Sequence, residues 1–221
     1  MLKRAFVPML ALAMVMFAVA PLMIDRAPYE TTMGLVQKIF YFHVPSAMMM
    51  FISAFVCGVS SALFLFKRSR AADHVAVASA ELVALFGIIV LVTGPLWARV
   101  AWGVWWQWEA RLTSTLVLWL IFLAYLLLRR YGGPGSERLG AGLALFGMAN
   151  VPFVYWSVNV WRTLHPKTSV VMTLDPGMRP AFWLSAGAFA LLYAALLAAR
   201  VRLEDGRATV EQLYLALDEH D

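Results

Sequence analysis

The sequence predicts an all-α integral membrane protein: six transmembrane helices, both termini cytoplasmic, and a tryptophan-rich outer-face loop between the third and fourth helices. Three observations predict it. The chain of 221 residues is 62% hydrophobic and only 14% charged, whereas soluble domains carry about a quarter charged residues. The apolar residues gather in six runs, each long enough to cross ~30 Å of hydrocarbon at about 20 residues per crossing. The Lys and Arg residues collect at alternate ends of those runs, which sets an orientation.

The first run, near 5–24, follows Lys3 and Arg4 and ends in "FAVAP". That ending has the small-residue pattern of a signal-peptidase site. The apolar stretch exceeds a typical signal core and five more spans follow, so a retained helix is expected. The second run, near 44–66, follows "YFHVPSA" and holds the single cysteine, Cys57. One thiol forms no internal disulfide, and the chain has neither C-x-x-C nor C-x-x-C-H. Cys57 therefore reads as a small apolar residue. The third run, near 75–96, follows "KRSR" and carries Glu81 near its inner end. The fourth, near 113–130, ends in "RRYGG", and the fifth and sixth lie near 139–160 and 180–200. Residues 201–221 are charged and partly amphipathic, as expected of a short cytoplasmic helix or tail. No soluble segment intervenes, so 1–221 reads as a single six-helix domain.

Of the 18 Lys and Arg, eleven fall on one set of span ends: Lys3, Arg4, Lys67, Arg68, Arg70, Arg129, Arg130, Arg138, Arg200, Arg202 and Arg207. Arg26, Lys38, Arg99, Arg111, Arg162, Lys167 and Arg179 occupy the other. The richer side is expected to be cytoplasmic. The pI of about 9.6 thus reflects charges flanking lipid spans, and nucleic acid is excluded as a partner in favour of the bilayer. The outer loops are then roughly 25–43, 97–112 and 161–179. His43 ends the first and His165 lies in the third, whereas His74 and His220 fall on the inner side.

The second outer loop contains "WGVWWQWEARLT", residues 102–113, with Trp102, Trp105, Trp106 and Trp108 inside it. Interfacial aromatic belts line both membrane surfaces. Here Trp97, Trp156, Trp161 and Trp183 also map to the outer end, and only Trp119 lies deeper. One-sidedness points to a platform for a large, flat, apolar ligand, because indole faces stack well on π systems. If helical, the loop would place Trp102, Trp105, Trp106 and Glu109 on one face. Gly103 would admit close approach. Arg111, with Arg99 and Arg162 as alternatives, would meet a ligand carboxylate. Arg111 is equally open to a membrane-edge role or a local pair with Glu109. Two outer-face histidines complete the set, since imidazole is a common haem-iron ligand and haem is flat and apolar with acidic arms. No H-E-x-x-H or Cys/His cluster marks a zinc hydrolase.

The stretch resembles the tryptophan-rich (WWD) signature of the haem-handling membrane proteins of cytochrome c maturation. With "YFHVPSA" and "RTLHP" in the flanking outer loops, the chain is most similar to their haem exporter protein C (CcmC) type over nearly its whole length. The resemblance implies that haem b is held at the periplasmic face by two axial histidines, by position His43 and His165. It implies that the tryptophan loop presents the haem edge to the haem chaperone CcmE. It also implies an ABC-type complex of CcmA and CcmB with the small protein CcmD. This chain has no P-loop and would not be the ATPase, so a binding and transfer scaffold is expected rather than an enzyme. The alternatives are a synthase joining haem to apocytochrome, as in the related CcsA and CcmF branch, and a haem permease, which needs ionisable groups within its spans. One departure stands out: the motif's usual Asp is Glu109 here. Pro45 and Pro166 follow the two histidines and restrict the backbone there.

Overall fold

The computed structural model describes residues 2–30 and 33–218, with side chains from Phe6 onward. The side chains of Lys3 and Arg4, and all of His220, lie outside the described residues. Six α-helices follow one another: α1 Leu2–Arg26, α2 Phe40–Lys67, α3 Arg70–Trp102, α4 Ala110–Tyr131, α5 Ser136–Val160 and α6 Arg179–Asp218. Each is long and apolar enough to cross a membrane, so the chain is a multi-pass all-α membrane protein. Every predicted run falls inside one helix.

The breaks follow local chemistry. Arg68 turns left-handed at φ 55°, and the Ser69 hydroxyl accepts from the Ala72 N–H at 3.3 Å to cap α3, as N-cap serines do. Gly103, at φ 78°, ends α3 in the left-handed conformation that glycine adopts at little cost. Short 3₁₀ turns precede α2 at Leu35–Ile39 and punctuate the α5–α6 connection at Thr168–Val171.

The helices α2 and α3 form the centre, with α4 and α5 on one flank and α1 against α6 on the other. The main core joins Met50, Ala54, Val83, Phe86, Leu118, Phe122 and Tyr125. Cys57 is a free, fully buried member of it, as its apolar surroundings predict. Gly87 lets α4 come close, since the Trp119 ring covers the place a Cβ would fill. The Trp119 indole N–H donates to the Ala84 carbonyl at 3.0 Å. Small residues at helix crossings permit this approach.

Charge enters the bundle at the end opposite the tryptophan loop. Arg129 of α4 bonds Asp73 of α3 at 2.6 Å, with Asp73 buried. Arg200 of α6 grips Glu81 of α3 with two guanidinium nitrogens and also bonds Glu204 at 2.9 Å. His74 contacts Asp205 at 2.6 Å. The stretch expected to form a short helix or tail continues α6 as far as Asp218. At 40 residues this helix is about 60 Å long, twice the hydrocarbon thickness. Glu81 and His74 of α3 tie Arg200 and Asp205 of this helix to the bundle.

Candidate functional site

The start of α2, the end of α3 and the start of α4 meet at one end of the bundle, together with the segments 27–39 and 161–178. They enclose a cavity. Its walls are largely apolar: Met50, Phe51, Val90, Leu91, Pro95 and Trp97 line it. Set into them are His43, His165, Arg111, Trp102 and Trp106. Residues far apart in sequence, and predicted to share a membrane face, thus share one cavity.

Both histidines are held by Nδ1. His43, in the first turn of α2, places Nδ1 2.8 Å from the Thr93 hydroxyl of α3. That hydroxyl donates its own proton to the Ile89 carbonyl at 2.7 Å, so its oxygen accepts and Nδ1 is the donor. His165 places Nδ1 2.8 Å from the Pro166 carbonyl, which can only accept. Each ring in its neutral form therefore carries its proton on Nδ1 and its lone pair on Nε2, the tautomer that second-shell acceptors select at metal-binding histidines. Burial, and secondarily the Arg111 guanidinium, push the His165 pKa down to about 3, against the pull of the Pro166 carbonyl. The ring is neutral at physiological pH.

Arg111 opens α4 and reaches across to α5, donating to the Val154 carbonyl at 2.6 Å and the Tyr155 carbonyl at 3.3 Å. Its guanidinium also lies 5.7 Å from the Phe51 ring centroid. These contacts hold the cation at the cavity wall. Arg99 is exposed and donates to the Gly103 carbonyl, and Arg162 is also exposed; neither lines the cavity.

Glu109 makes no ion pair with Arg111 among the described residues. Its Oε2 accepts from the Thr163 hydroxyl at 2.5 Å and from the Leu164 N–H at 3.1 Å. Thr163 in turn accepts from the His165 N–H at 3.0 Å. The carboxylate clamps the segment that carries His165.

The tryptophan segment is not helical, which corrects the expected common face. Once Gly103 has ended α3, residues 103–109 run without helix until Ala110. Trp102 closes α3 and packs edge-on against Trp97, with centroids 4.8 Å apart. Trp106 lines the cavity, and its buried indole N–H has no partner among the described residues. Trp105 and Trp108 point outward, 56% and 79% exposed, with Trp108 edge-on to Trp106 at 5.7 Å. The indoles thus divide into an inward pair and an outward pair. Gly103, Trp105, Trp108 and Glu109 do not line the cavity.

A family profile described as heme exporter protein C matches residues 1–214. The chain belongs to the heme exporter protein C family. A heme exporter protein C of Bradyrhizobium diazoefficiens is 36% identical over 224 residues, covering 97% of this chain and 84% of that protein. One from Escherichia coli is 34% identical over 224 residues, covering 95% and 90%. A Marchantia polymorpha mitochondrial protein named as cytochrome c biosynthesis ccmC-like is 35% identical over 144 residues, covering 65% and 61%.

For a member of this family, the donor set suits a porphyrin. Two imidazoles engaged through Nδ1 sit among apolar and aromatic walls, with Arg111 and the unpartnered Trp106 N–H beside them. Sequence reasoning missed Thr93 and Thr163. The signal for Thr93 is a lone hydroxyl in the apolar run "VLVTGP"; Thr163 carries no comparable mark.

Proposed function

We propose that this chain binds haem b at the outer face of the cell's inner membrane and hands it to the periplasmic haem chaperone CcmE during c-type cytochrome maturation. One observation carries the reading: two histidines with Nδ1–H tautomers line a single apolar cavity beside a tryptophan segment and a cation. His43 and His165 supply the axial nitrogens for iron. Trp102 and Trp106 pack against the macrocycle, and Arg111 with the Trp106 N–H receives a propionate. Gly103 makes the turn that brings the segment over the cavity. Glu109 holds the His165 segment in place. Trp105 and Trp108 form the exposed face on which the chaperone docks.

The chain acts as one six-helix domain with both termini cytoplasmic and residues 103–109 periplasmic. It works alongside CcmA, CcmB and CcmD, and ATP hydrolysis belongs to those partners, since this sequence has no P-loop. The pairing of Glu81 with Arg200 bears on the permease alternative: the one carboxylate considered for a path through the spans is engaged in joining α3 to α6.

The test is reconstitution of the haem-loaded chain with purified CcmE and, separately, with an apocytochrome c. Transfer to CcmE, abolished in the Trp105→Ala/Trp108→Ala double variant that still binds haem, is the expected result. Direct attachment to apocytochrome without CcmE would move the assignment to a synthase.

A further inference from the structure

We infer that Thr93 is a positioning residue that fixes the ring orientation and tautomer of His43 for iron ligation. The inference rests on the reading of His43 as an axial ligand and adds a residue to it. The hydroxyl lies 2.8 Å from Nδ1, and its proton is spent on the Ile89 carbonyl 2.7 Å away. A threonine hydroxyl donates one bond and accepts others. With its donor committed backwards along α3, the oxygen presents only lone pairs to the imidazole. The ring also lies close to the α3 backbone: a Cβ added at Gly94 would stand 3.4 Å from His43 Cε1. Thr93 and Gly94 together make a seat for the ring on α3.

The two histidines differ in how they are held. His165 is fixed by the main-chain carbonyl of its neighbour Pro166, which no substitution removes. His43 depends on a side chain from another helix, so its hold can be taken away cleanly. A hydrogen bond at Nδ1–H strengthens imidazole as a donor at Nε2 and favours the ferric state. Loss of such outer-shell partners typically weakens metal affinity about 10- to 100-fold. Valine matches threonine in shape, so Thr93→Val removes the hydroxyl alone, with its acceptor for His43 Nδ1 and its bond to the Ile89 carbonyl.

The experiment compares haem-loaded full-length wild type, Thr93→Val, Thr93→Ser and His43→Ala. Its readouts are the absorption spectrum, the reduction midpoint of the bound haem and the haem dissociation constant. Thr93→Val is expected to raise the midpoint and weaken haem binding about 10-fold or more, and Thr93→Ser to restore both. Thermal unfolding of the haem-free variants reports folding, and Thr93→Ala replaces the valine variant if that one is poorly folded. If His43→Ala loses the bis-histidine spectrum while Thr93→Val keeps the wild-type midpoint and affinity, the positioning role is wrong and the ligand assignment stands. If His43→Ala keeps the wild-type spectrum, the ligand assignment falls and the role of Thr93 falls with it.

Discussion

Glu109 shows what a single residue does at this site. Its carboxylate takes two hydrogen bonds from the segment 163–164, one of them through a hydroxyl that also holds the His165 N–H. Hydrogen bonds to a charged group contribute about 1.5–3 kcal/mol each. Glu109→Ala is therefore expected to loosen His165 and weaken haem binding about 10-fold or more, read by haem titration of the purified protein. Glu109→Asp is expected to stay within a few-fold of wild type, because aspartate is the residue usual at this motif position. Unchanged affinity in Glu109→Ala would remove the clamp from the account. At this scale the sequence singles out His43, His165 and Arg111 by residue chemistry and expected side of the membrane, and the three line one cavity. The partner of Glu109 was not. Thr163 lies 54 positions away, and no spacing rule links a carboxylate to a loop hydroxyl at that distance.

At the scale of elements, the helices were legible and the tryptophan segment was not. Apolar runs of membrane length have one physical solution, a helix that satisfies its own backbone. The segment 103–109 carries side chains that fit either conformation, and what decides it is Gly103 at φ 78°. The ion pair between α3 and α4 gives the element-scale prediction. Asp73 and Arg129 are largely buried, with side chains 7% and 15% exposed. Breaking such a pair from one side costs about 3–5 kcal/mol, whereas replacing both partners by apolar residues is near neutral. Asp73→Ala is expected to lower thermal stability strongly, and Asp73→Leu/Arg129→Leu to recover most of it. Equal destabilisation by the single and double changes would show that the pair is not what joins α3 to α4 at that end.

For the whole molecule, the question is which way the bundle sits. The Lys and Arg bias predicts Arg68, Arg70, Arg129 and Arg130 inside and residues 103–109 outside. In a Cys57→Ser background, Gln107→Cys is expected to react with a membrane-impermeant thiol reagent added to intact spheroplasts. Ser69→Cys is expected to react only after the membrane is broken. The reverse pattern would invert the topology and separate the cavity from a periplasmic chaperone. The cavity itself emerges only at this scale. Its histidines come from α2 and from the segment after α5, and its cation from α4. Chain order does not reveal that those three places meet.

The central claim is that His43 and His165 jointly ligate haem iron in this cavity. The most direct measurement is the low-temperature absorption and paramagnetic resonance spectrum of the haem-loaded protein and of its two histidine variants. The account predicts a low-spin bis-histidine centre in the wild type, with loss of that signature in His43→Ala and in His165→Ala. A wild-type bis-histidine spectrum in both variants would contradict it.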